Sequence, residues 1–278
     1  MKSVIPKTYK EALTLLNEGE YKIIAGGTDL MVQNRGWSNT LPTFKFDTLF
    51  VLNLNELNYI KEEDGFVKIG SNMNLEQLKD ELLCPPLLTQ AIEVMASPAI
   101  RNIATIAGNI GNASPAGDSL PIFYALNAKV VVASIDGVKE FNIEDFITGP
   151  GRKQLNKNEM IIEVKIPIDK FTFVRFDKVG GRKADAISKI SFAGATRVEN
   201  NVLKDLRLTF GAVGPVVVRQ KVLEDKYIGL SISELKGKVK EILKDYEPFI
   251  TPIDDQRSNK EYRKVVALNL LESFIVSL

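Results

Sequence analysis

Residues 103–121 form the stretch that most constrains how this chain can fold. This segment combines glycine, small polar and apolar residues, a mixture that is not required in a hydrophobic core or in a solvated loop. Gly108 and Gly111 bracket Asn109, whose amide can both donate and accept hydrogen bonds. Such a loop can bring bare backbone against a flat, polar heterocycle. A solvated turn is the alternative, since Gly, Asn, Ser and Pro are also the usual turn residues.

A second glycine segment favours the binding interpretation. An apolar run over residues 21–25 predicts a buried strand, which leads into Gly26 and Gly27 and then the polar pair Thr28 and Asp29. Backbone N–H groups freed at a strand end can cradle a phosphate. The chain has no Gly-x-Gly-x-x-Gly fingerprint and no phosphate loop ending in Gly-Lys-Ser/Thr, so neither of these nucleotide-binding motifs is indicated.

The residue types that are missing narrow the chemistry. The chain has no histidine and a single cysteine, Cys84. Disulfides within the chain, cysteine-ligated iron–sulfur clusters, most zinc sites and a Ser-His-Asp triad are therefore excluded. A catalyst of this composition depends on Asp, Glu, Lys or Tyr, or on a cofactor that carries the reaction itself. Cys84 is interpreted as a small buried hydrophobe.

Charge and hydropathy set further limits. Lys and Arg total 36 against 35 Asp and Glu, and the resulting net charge of +1 provides no field for nucleic acid or an anionic membrane surface. No apolar run approaches the roughly 20 residues of a membrane span, and the first residues lack the apolar stretch of a signal peptide. We therefore expect a cytoplasmic protein with no nucleic-acid or membrane partner.

Caps and periodicity predict short helices and strands in the first 168 residues. Thr8 and Glu11 form a capping box for a helix that ends near Gly19, and Asn74 caps another helix that begins at Leu75. Further helices are expected over 88–95 and 118–126, strands over 53–60, 66–70, 129–135, 138–141 and 159–166, and turns at 63–65 and 136–137.

Longer strands follow in the remainder of the chain. Residues 171–179, 191–199 and 203–213, with a turn at 200–201, predict an antiparallel meander. Two helices are expected to close the chain. The last of them, capped by Ser258 and Glu261, would cover the sheet with its apolar face.

Together the two glycine segments resemble the FAD-binding subunit of the molybdenum hydroxylases, the group that includes xanthine dehydrogenase and carbon monoxide dehydrogenase. The chain has the family's Ala-Gly-Gly-Thr-Asp-Leu at 25–30. It has Thr-Ile-Ala-Gly-Asn at 105–109, where the family has Thr-Ile-Gly-Gly-Asn, followed by Ser114-Pro115 and Asp118. The resemblance spans nearly the whole chain, continuing through 176–178, Arg182, 211–215, 218–219, 254–257 and 261–263.

The resemblance implies an α+β fold and a non-covalent FAD. Residues 1–168 would form the FAD-binding domain, with two α/β subdomains of the vanillyl-alcohol oxidase type. Residues 169–278 would form the antiparallel-sheet-plus-helices domain of these medium subunits. No catalytic or metal-ligating side chain is expected, because the flavin carries the redox step.

The resemblance also assigns the cofactor site. The first glycine segment would hold the diphosphate and its ribose side, and the second would follow the ribityl chain and the rest of the cofactor. Ala186 and Ile187, which follow Arg182 at the expected start of a strand, would contact the isoalloxazine. The expected cofactor-binding residues are Ile24, Ala25, Gly26, Gly27, Thr28, Asp29, Leu30, Thr105, Ile106, Ala107, Gly108, Asn109, Asn112, Ser114, Asp118, Lys178, Ala186 and Ile187.

Three of these positions have open alternatives. Ala107 carries a methyl group where many members have glycine, which alanine tolerates if its φ is negative or the loop adjusts, so we expect binding to survive. Asp177 replaces an arginine of the family and leaves Lys178 as the nearest basic residue, with surface solvation as the alternative role of Lys178. Asp118 could act simply as an acidic residue at a helix N-terminus.

In such enzymes a large molybdopterin subunit hydroxylates the substrate, and a small subunit with two [2Fe–2S] clusters relays electrons to FAD. The flavin then reduces an acceptor, often NAD⁺. The resemblance thus implies an electron-transfer subunit of a heterotrimer, with a dimer of heterotrimers left open. Two alternatives remain: a free-standing FAD-dependent reductase or oxidase of the same fold, and a flavin-free subunit that bridges its partners.

Overall fold

The computed structural model describes residues 2–36, 44–183 and 185–278, which form a mixed α and β fold. In this part of the chain the strands are β1 (Ser3–Val4), β2 (Tyr21–Ile24), β3 (Asp47–Phe50), β4 (Ile60–Glu63), β5 (Phe66–Gly70), β6 (Lys129–Ser134), β7 (Gly137–Asn142), β8 (Ile147–Gly149), β9 (Arg152–Lys153), β10 (Met160–Pro167), β11 (Phe173–Val179), β12 (Ile190–Glu199), β13 (Val202–Gly211) and β14 (Val218–Arg219). The helices are α1 (Tyr9–Glu18), α2 (Thr28–Gln33), α3 (Leu75–Asp80), α4 (Pro86–Glu93), α5 (Pro98–Arg101), α6 (Ile106–Asn112), α7 (Ser119–Ala125), α8 (Ile143–Phe146), α9 (Lys221–Lys226), α10 (Ile232–Gly237), α11 (Val239–Tyr246) and α12 (Lys260–Ser277).

The first of two compact units comprises Met1–Cys84, Ser97–Ala113 and Ala128–Pro167. It contains a parallel sheet in the order β1-β3-β2, an antiparallel sheet in the order β4-β5-β10-β6-β7, and the small β8-β9 pair. Two separate sheets agree with the expected two-part α/β organisation of the FAD-binding region.

Helix α1 shows how local sequence sets the first unit. The Thr8 hydroxyl accepts a hydrogen bond from the Glu11 N–H at 3.1 Å, and Gly19 follows the last turn. The helix buries Ala12, Leu13 and Leu16 in a core that includes Leu49 of β3. The cap fixes where the helix begins, and the apolar face fixes which side it turns toward the sheet.

The second unit comprises Pro85–Ala96, Ser114–Asn127 and Ile168–Leu278. Its sheet runs β11-β12-β13-β14 and is antiparallel throughout. Helix α12 covers this sheet: the Phe274 ring lies 5.4 Å from that of Phe192 and fills the space that a side chain at Gly194 would need. The predicted meander and its covering helix are confirmed. The assignment of 1–168 and 169–278 as separate domains stays a prediction.

The largest correction concerns residues 103–121, which we expected to be a loop up to a helix at 118. Helix α6 occupies Ile106–Asn112 instead. Thr105 caps it, and Ile106 and Ile110, four residues apart, are fully buried. These two contributions outweigh the weak helix preference of Gly108 and Gly111.

Other expectations were wrong in detail. The strand over 53–60 is a 3₁₀ turn at Asn55–Leu57, in which Leu54 and Leu57 are buried three residues apart, and a strand begins only at Ile60. Strand β3 was not anticipated. Strand β2 is only partly buried, since Lys22 is exposed.

The end of the chain also differs from expectation. Four helices follow the sheet where two were predicted, and the acceptor that caps α12 is Asn259 in place of Ser258. The short α9 and α10 lack the long apolar periodicity on which the prediction depended. Across the described helices, none has the length and apolar content needed to cross a bilayer.

Candidate cofactor site

The first glycine segment is shaped by contacts within the first unit. Strand β2 ends at Ile24, and the chain passes through Gly26 and Gly27 into α2. A Cβ on Gly26 would lie 1.8 Å from the carbonyl oxygen of Ile103, so no side chain fits there. Gly27 precedes α2 with φ of 70°, a left-handed conformation that favours glycine. Folding alone therefore explains both glycines.

Helix α6 positions the second segment. The Thr105 hydroxyl accepts a hydrogen bond from the Gly108 N–H at 3.1 Å, and the Ile106 N–H donates to the Met73 carbonyl at 3.1 Å. Ile110 is fully buried beneath the same helix. The first turn of α6 is thus held by a cap, a backbone hydrogen bond and core packing.

The outer face of this turn exposes bare backbone. Gly108 is exposed, and a Cβ placed on it would meet only the Thr105 hydroxyl, at 3.0 Å. Ala107 lies inside the helix and is not among the residues with positive φ, so its methyl group requires no strained backbone. A negative φ, as in a helix, is the condition under which we expected alanine to be tolerated at this position.

A polar contact joins the two segments. The Asn112 amide nitrogen donates to the Asp29 carboxylate at 3.0 Å, and its oxygen accepts from the Gln33 amide at 3.2 Å. Asp29 and Gln33 belong to α2, whereas Asn112 is the last residue of α6. Partial burial raises the pKa of Asp29.

These features fit a phosphate-bearing or flat ligand such as FAD. Gly108 is exposed, and Ala25, Thr28, Ala107 and Asn109 are partly exposed. In contrast, the side chains of Ile24, Thr105 and Ile106 are buried, which leaves them supporting the site from below.

The second unit holds a buried ion pair. The Asp118 carboxylate accepts hydrogen bonds from Lys178 Nζ at 2.8 Å and from the Ser188 hydroxyl. Burial raises the pKa of Asp118, and the Lys178 charge is the main opposing influence. Although Asp118 directly precedes α7, its carboxylate accepts no capping bond from that helix. Asp118 therefore lies at the helix N-terminus, as the alternative role requires, but its carboxylate is bonded to Lys178 and Ser188.

Lys178 is not a solvated surface residue, contrary to that alternative. Its side chain is only 7% exposed and also donates to the Val94 carbonyl at 3.0 Å. The neighbouring Asp177 pairs with Arg175 at 2.6 Å. The acidic replacement at 177 thus has its own partner, and Lys178 is directed to Asp118.

The remaining candidates in the second unit are not hydrogen-bonded to the Asp118–Lys178 pair. The Ser114 hydroxyl accepts from the Ala116 N–H at 3.3 Å in a local turn. Ala186 and Ile187 do not begin a strand, since β12 starts at Ile190, and Ile187 is 55% exposed. Among the described residues, no hydrogen bond joins Ser114, Ala186 or Ile187 to Asp118 or Lys178.

Sequence reasoning missed three contributors. Gln33 could have been found from its spacing of four residues after Asp29, which places both on one face of a helix. The Ile103 carbonyl and the Ser188 hydroxyl gave no such signal. Each contacts a residue about 70 or more positions away, Gly26 and Asp118 respectively.

Comparisons with known proteins identify the family. The sequence profile of the FAD binding domain in molybdopterin dehydrogenase matches residues 1–169, and that of the CO dehydrogenase flavoprotein C-terminal domain matches 176–278. The xanthine dehydrogenase FAD-binding subunit of Escherichia coli O157:H7 is 31% identical, over 92% of this chain and 88% of its own length.

Two further relatives extend the comparison. The glyceraldehyde dehydrogenase medium chain of Sulfolobus acidocaldarius is 29% identical, over 94% of this chain and 92% of its own. A carbon monoxide dehydrogenase structure from Hydrogenophaga pseudoflava superposes with a TM-score of 0.88 at 23% identity, over 98% of this chain and 95% of that one.

Fold, site and matched profiles together define a flavoprotein component of an oxidoreductase. The chain belongs to the molybdenum hydroxylase family, as an FAD-binding subunit of the kind found with xanthine and carbon monoxide dehydrogenases. The expected α+β fold, with an FAD-binding region followed by a C-terminal domain, is confirmed.

Proposed function

We propose that this chain binds FAD non-covalently and passes electrons from the [2Fe–2S] clusters of a small partner subunit to an acceptor such as NAD⁺. The observation that carries the proposal is the bare, exposed backbone at Gly108, held on a rigid helix turn in a chain of an FAD-binding family. When bound, FAD supplies the step between one-electron and two-electron transfer.

In the first unit, backbone groups would do most of the binding. We assign the diphosphate and its ribose to the segment from Ala25 to Leu30, and the ribityl chain to Ala107, Gly108 and Asn109. The cap at Thr105 and the buried Ile106 hold the second group in place. For the diphosphate, the N–H groups in the first turn of α2 are donors of the kind that bind an anion.

In the second unit, the proposed contacts are Asp118, Lys178, Ser114, Ala186 and Ile187. The first two neutralise each other, so they contribute fixed hydrogen-bonding groups and little net charge. Ile187 offers an exposed apolar surface suited to a flavin ring. These assignments depend on the family relationship.

Two observations support the proposal of partner subunits: the chain lacks cluster ligands, and its relatives are named as subunits. One cysteine and no histidine cannot ligate an iron–sulfur cluster. Relatives are called a medium chain and an FAD-binding subunit, and another solved carbon monoxide dehydrogenase of the same fold is described as a Cu,Mo enzyme. We therefore propose a large molybdopterin subunit and a small subunit with two [2Fe–2S] clusters, in a heterotrimer that could pair into a dimer.

The first test is reconstitution. The purified chain is mixed with FAD, gel-filtered and examined for the two visible flavin absorption bands, which we expect at about one FAD per chain. A colourless protein would remove the cofactor proposal. If the colourless chain still joined its partners, it would be a flavin-free bridging subunit.

The second test concerns electron transfer. The chain is co-expressed with the two partner subunits, and acceptor reduction is compared between the complex and the chain alone. We expect turnover only in the complex, with NAD⁺ compared against oxygen and quinones. Substrate turnover by the isolated chain would instead identify a free-standing reductase or oxidase.

A further inference from the structure

We propose that Asn112 is a positioning residue, whose carboxamide locks α2 to α6 and thereby sets the spacing between the two backbone segments that would hold FAD. The proposal rests on the proposed function for its consequence, but the lock itself is a feature of the polypeptide. It assigns Asn112 to the neighbouring protein groups and not to direct cofactor contact.

The geometry uses both ends of one amide. Asn112 donates to the Asp29 carboxylate at 3.0 Å and accepts from the Gln33 amide at 3.2 Å. Asp29 and Gln33 are four residues apart, so they occupy one face of α2 and clasp Asn112 between them. A carboxamide provides a donor and an acceptor in the required directions, whereas a carboxylate or a methyl group cannot.

A second contact fixes the spacing of the two segments just before α2 and α6 begin. Gly26, just before α2, lies against the Ile103 carbonyl, just before α6. At the far end, the Ala113 carbonyl accepts from the Gly151 N–H at 2.9 Å, which holds the residue next to Asn112. The spacing of α2 and α6 is therefore set at both ends, and Asn112 provides a side-chain link between the two helices.

The charges around Asp29 make the lock testable by pH. Partial burial alone raises the pKa of Asp29, and no charged side chain of the described residues contributes to the shift. The Asp29 carboxylate accepts from Asn112, which in turn accepts from Gln33, and neither amide side chain titrates. A carboxylate at position 112 would therefore lie next to the carboxylate of Asp29. Ionisation of one group would raise the pKa of the other.

The sign of the effect follows from linkage. In Asn112→Asp, the folded state raises the pKa of one carboxyl group of the pair. A shared proton is then retained at low pH, and the lock is lost as the pH rises through that raised pKa. Relative to wild type, the variant should be least impaired in acid and most impaired in mild base.

The experiment compares wild type, three variants and a matched control by FAD titration and by thermal unfolding without FAD, at about pH 5.5 and about pH 8. For Asn112→Asp, the dissociation constant of FAD relative to wild type should rise about tenfold at the higher pH and much less at the lower, the size of one lost hydrogen bond to a charged group. Asn112→Leu should be impaired similarly at both. The double variant Asp29→Asn/Asn112→Asp should recover most of the loss, because donor and acceptor exchange places.

The matched control is Asn55→Asp, an exposed position in the 3₁₀ turn, which should follow wild type at both pH values. An Asn112→Asp variant with the wild-type pH profile would overturn the proposal. So would a double variant that binds FAD no better than Asn112→Asp at the higher pH, since the Asp29 carboxylate would then act on the cofactor itself. If wild type bound no FAD, the proposed function would fail, yet the unfolding profiles of the FAD-free chains would still decide whether the lock exists.

Discussion

The two glycine segments look alike in sequence but differ in what requires their glycines. At Gly26 a Cβ would lie 1.8 Å from the Ile103 carbonyl oxygen, and Gly27 has a φ of 70°. At Gly108 the φ is helical and a Cβ would meet only the Thr105 hydroxyl, at 3.0 Å. The fold itself demands the first two glycines, whereas it gives little reason for the third.

This difference separates the glycines that folding requires from the glycine that ligand binding would require. A glycine that the chain itself needs says nothing about a ligand, even when it belongs to a family signature. A glycine inside a helix costs up to about 0.5–1 kcal/mol relative to alanine, and Gly108 lies in the first turn of α6. Retaining Gly108 at that cost, on an exposed surface, is expected where a ligand approaches the backbone.

The largest effect should come from Gly26→Ala. The added methyl group overlaps a carbonyl oxygen that the core beneath α6 prevents from moving, so the free energy of unfolding should fall by more than about 3 kcal/mol. Chemical denaturation of the FAD-free chain measures the change. The control is Gly237→Ala, where a Cβ meets nothing within 4 Å. Wild-type stability in Gly26→Ala would show that the chain does not need this close approach.

An intermediate effect is expected for Gly27→Ala. A Cβ there has ordinary contacts, with its nearest neighbour at 3.4 Å, so the cost arises from the left-handed backbone and should be about 1–2 kcal/mol. Gly27→Asn should lose clearly less, since asparagine tolerates this conformation. Equal losses in the two variants, measured by denaturation without FAD, would point to crowding and not to backbone strain.

Local signals in the sequence were sufficient where the controlling interactions are local. Thr8 and Asn74 cap the helices predicted for them, and the two-residue turn at Asn200 and Asn201 has the positive φ values of 51° and 63° that such a hairpin needs. The family motifs likewise identified the cofactor class. Each of these features is decided within about four residues.

Long-range contacts decided what the sequence could not. Glycine, asparagine and serine around 103–121 favoured a loop, but burial of Ile106 and Ile110 and the cap at Thr105 produced α6. Lys178 was a cofactor-binding candidate with surface solvation as its alternative, and the fold places it beside Asp118, 60 positions away. The Asn112 bridge to Asp29 spans 83 positions and has no local signature.

The smallest effect on folding, and the most informative about binding, is expected for Gly108→Ala. Alanine gains helix preference, while its Cβ crowds the Thr105 hydroxyl at 3.0 Å, so the free energy of unfolding should change by less than about 1 kcal/mol. The dissociation constant of FAD should nevertheless rise at least about tenfold, because the methyl group stands where the ligand would touch backbone.

Gly111→Ala provides the matched comparison within the same helix. Its Cβ would make an ordinary contact with the Ile161 side chain at 3.8 Å, so this variant should gain about 0.5–1 kcal/mol and keep its affinity for FAD. Fluorescence titration and denaturation of both variants together give the answer. Should Gly108→Ala bind FAD as tightly as Gly111→Ala does, the bare backbone at 108 would need another explanation, and the contrast with Gly26 would concern helix packing alone.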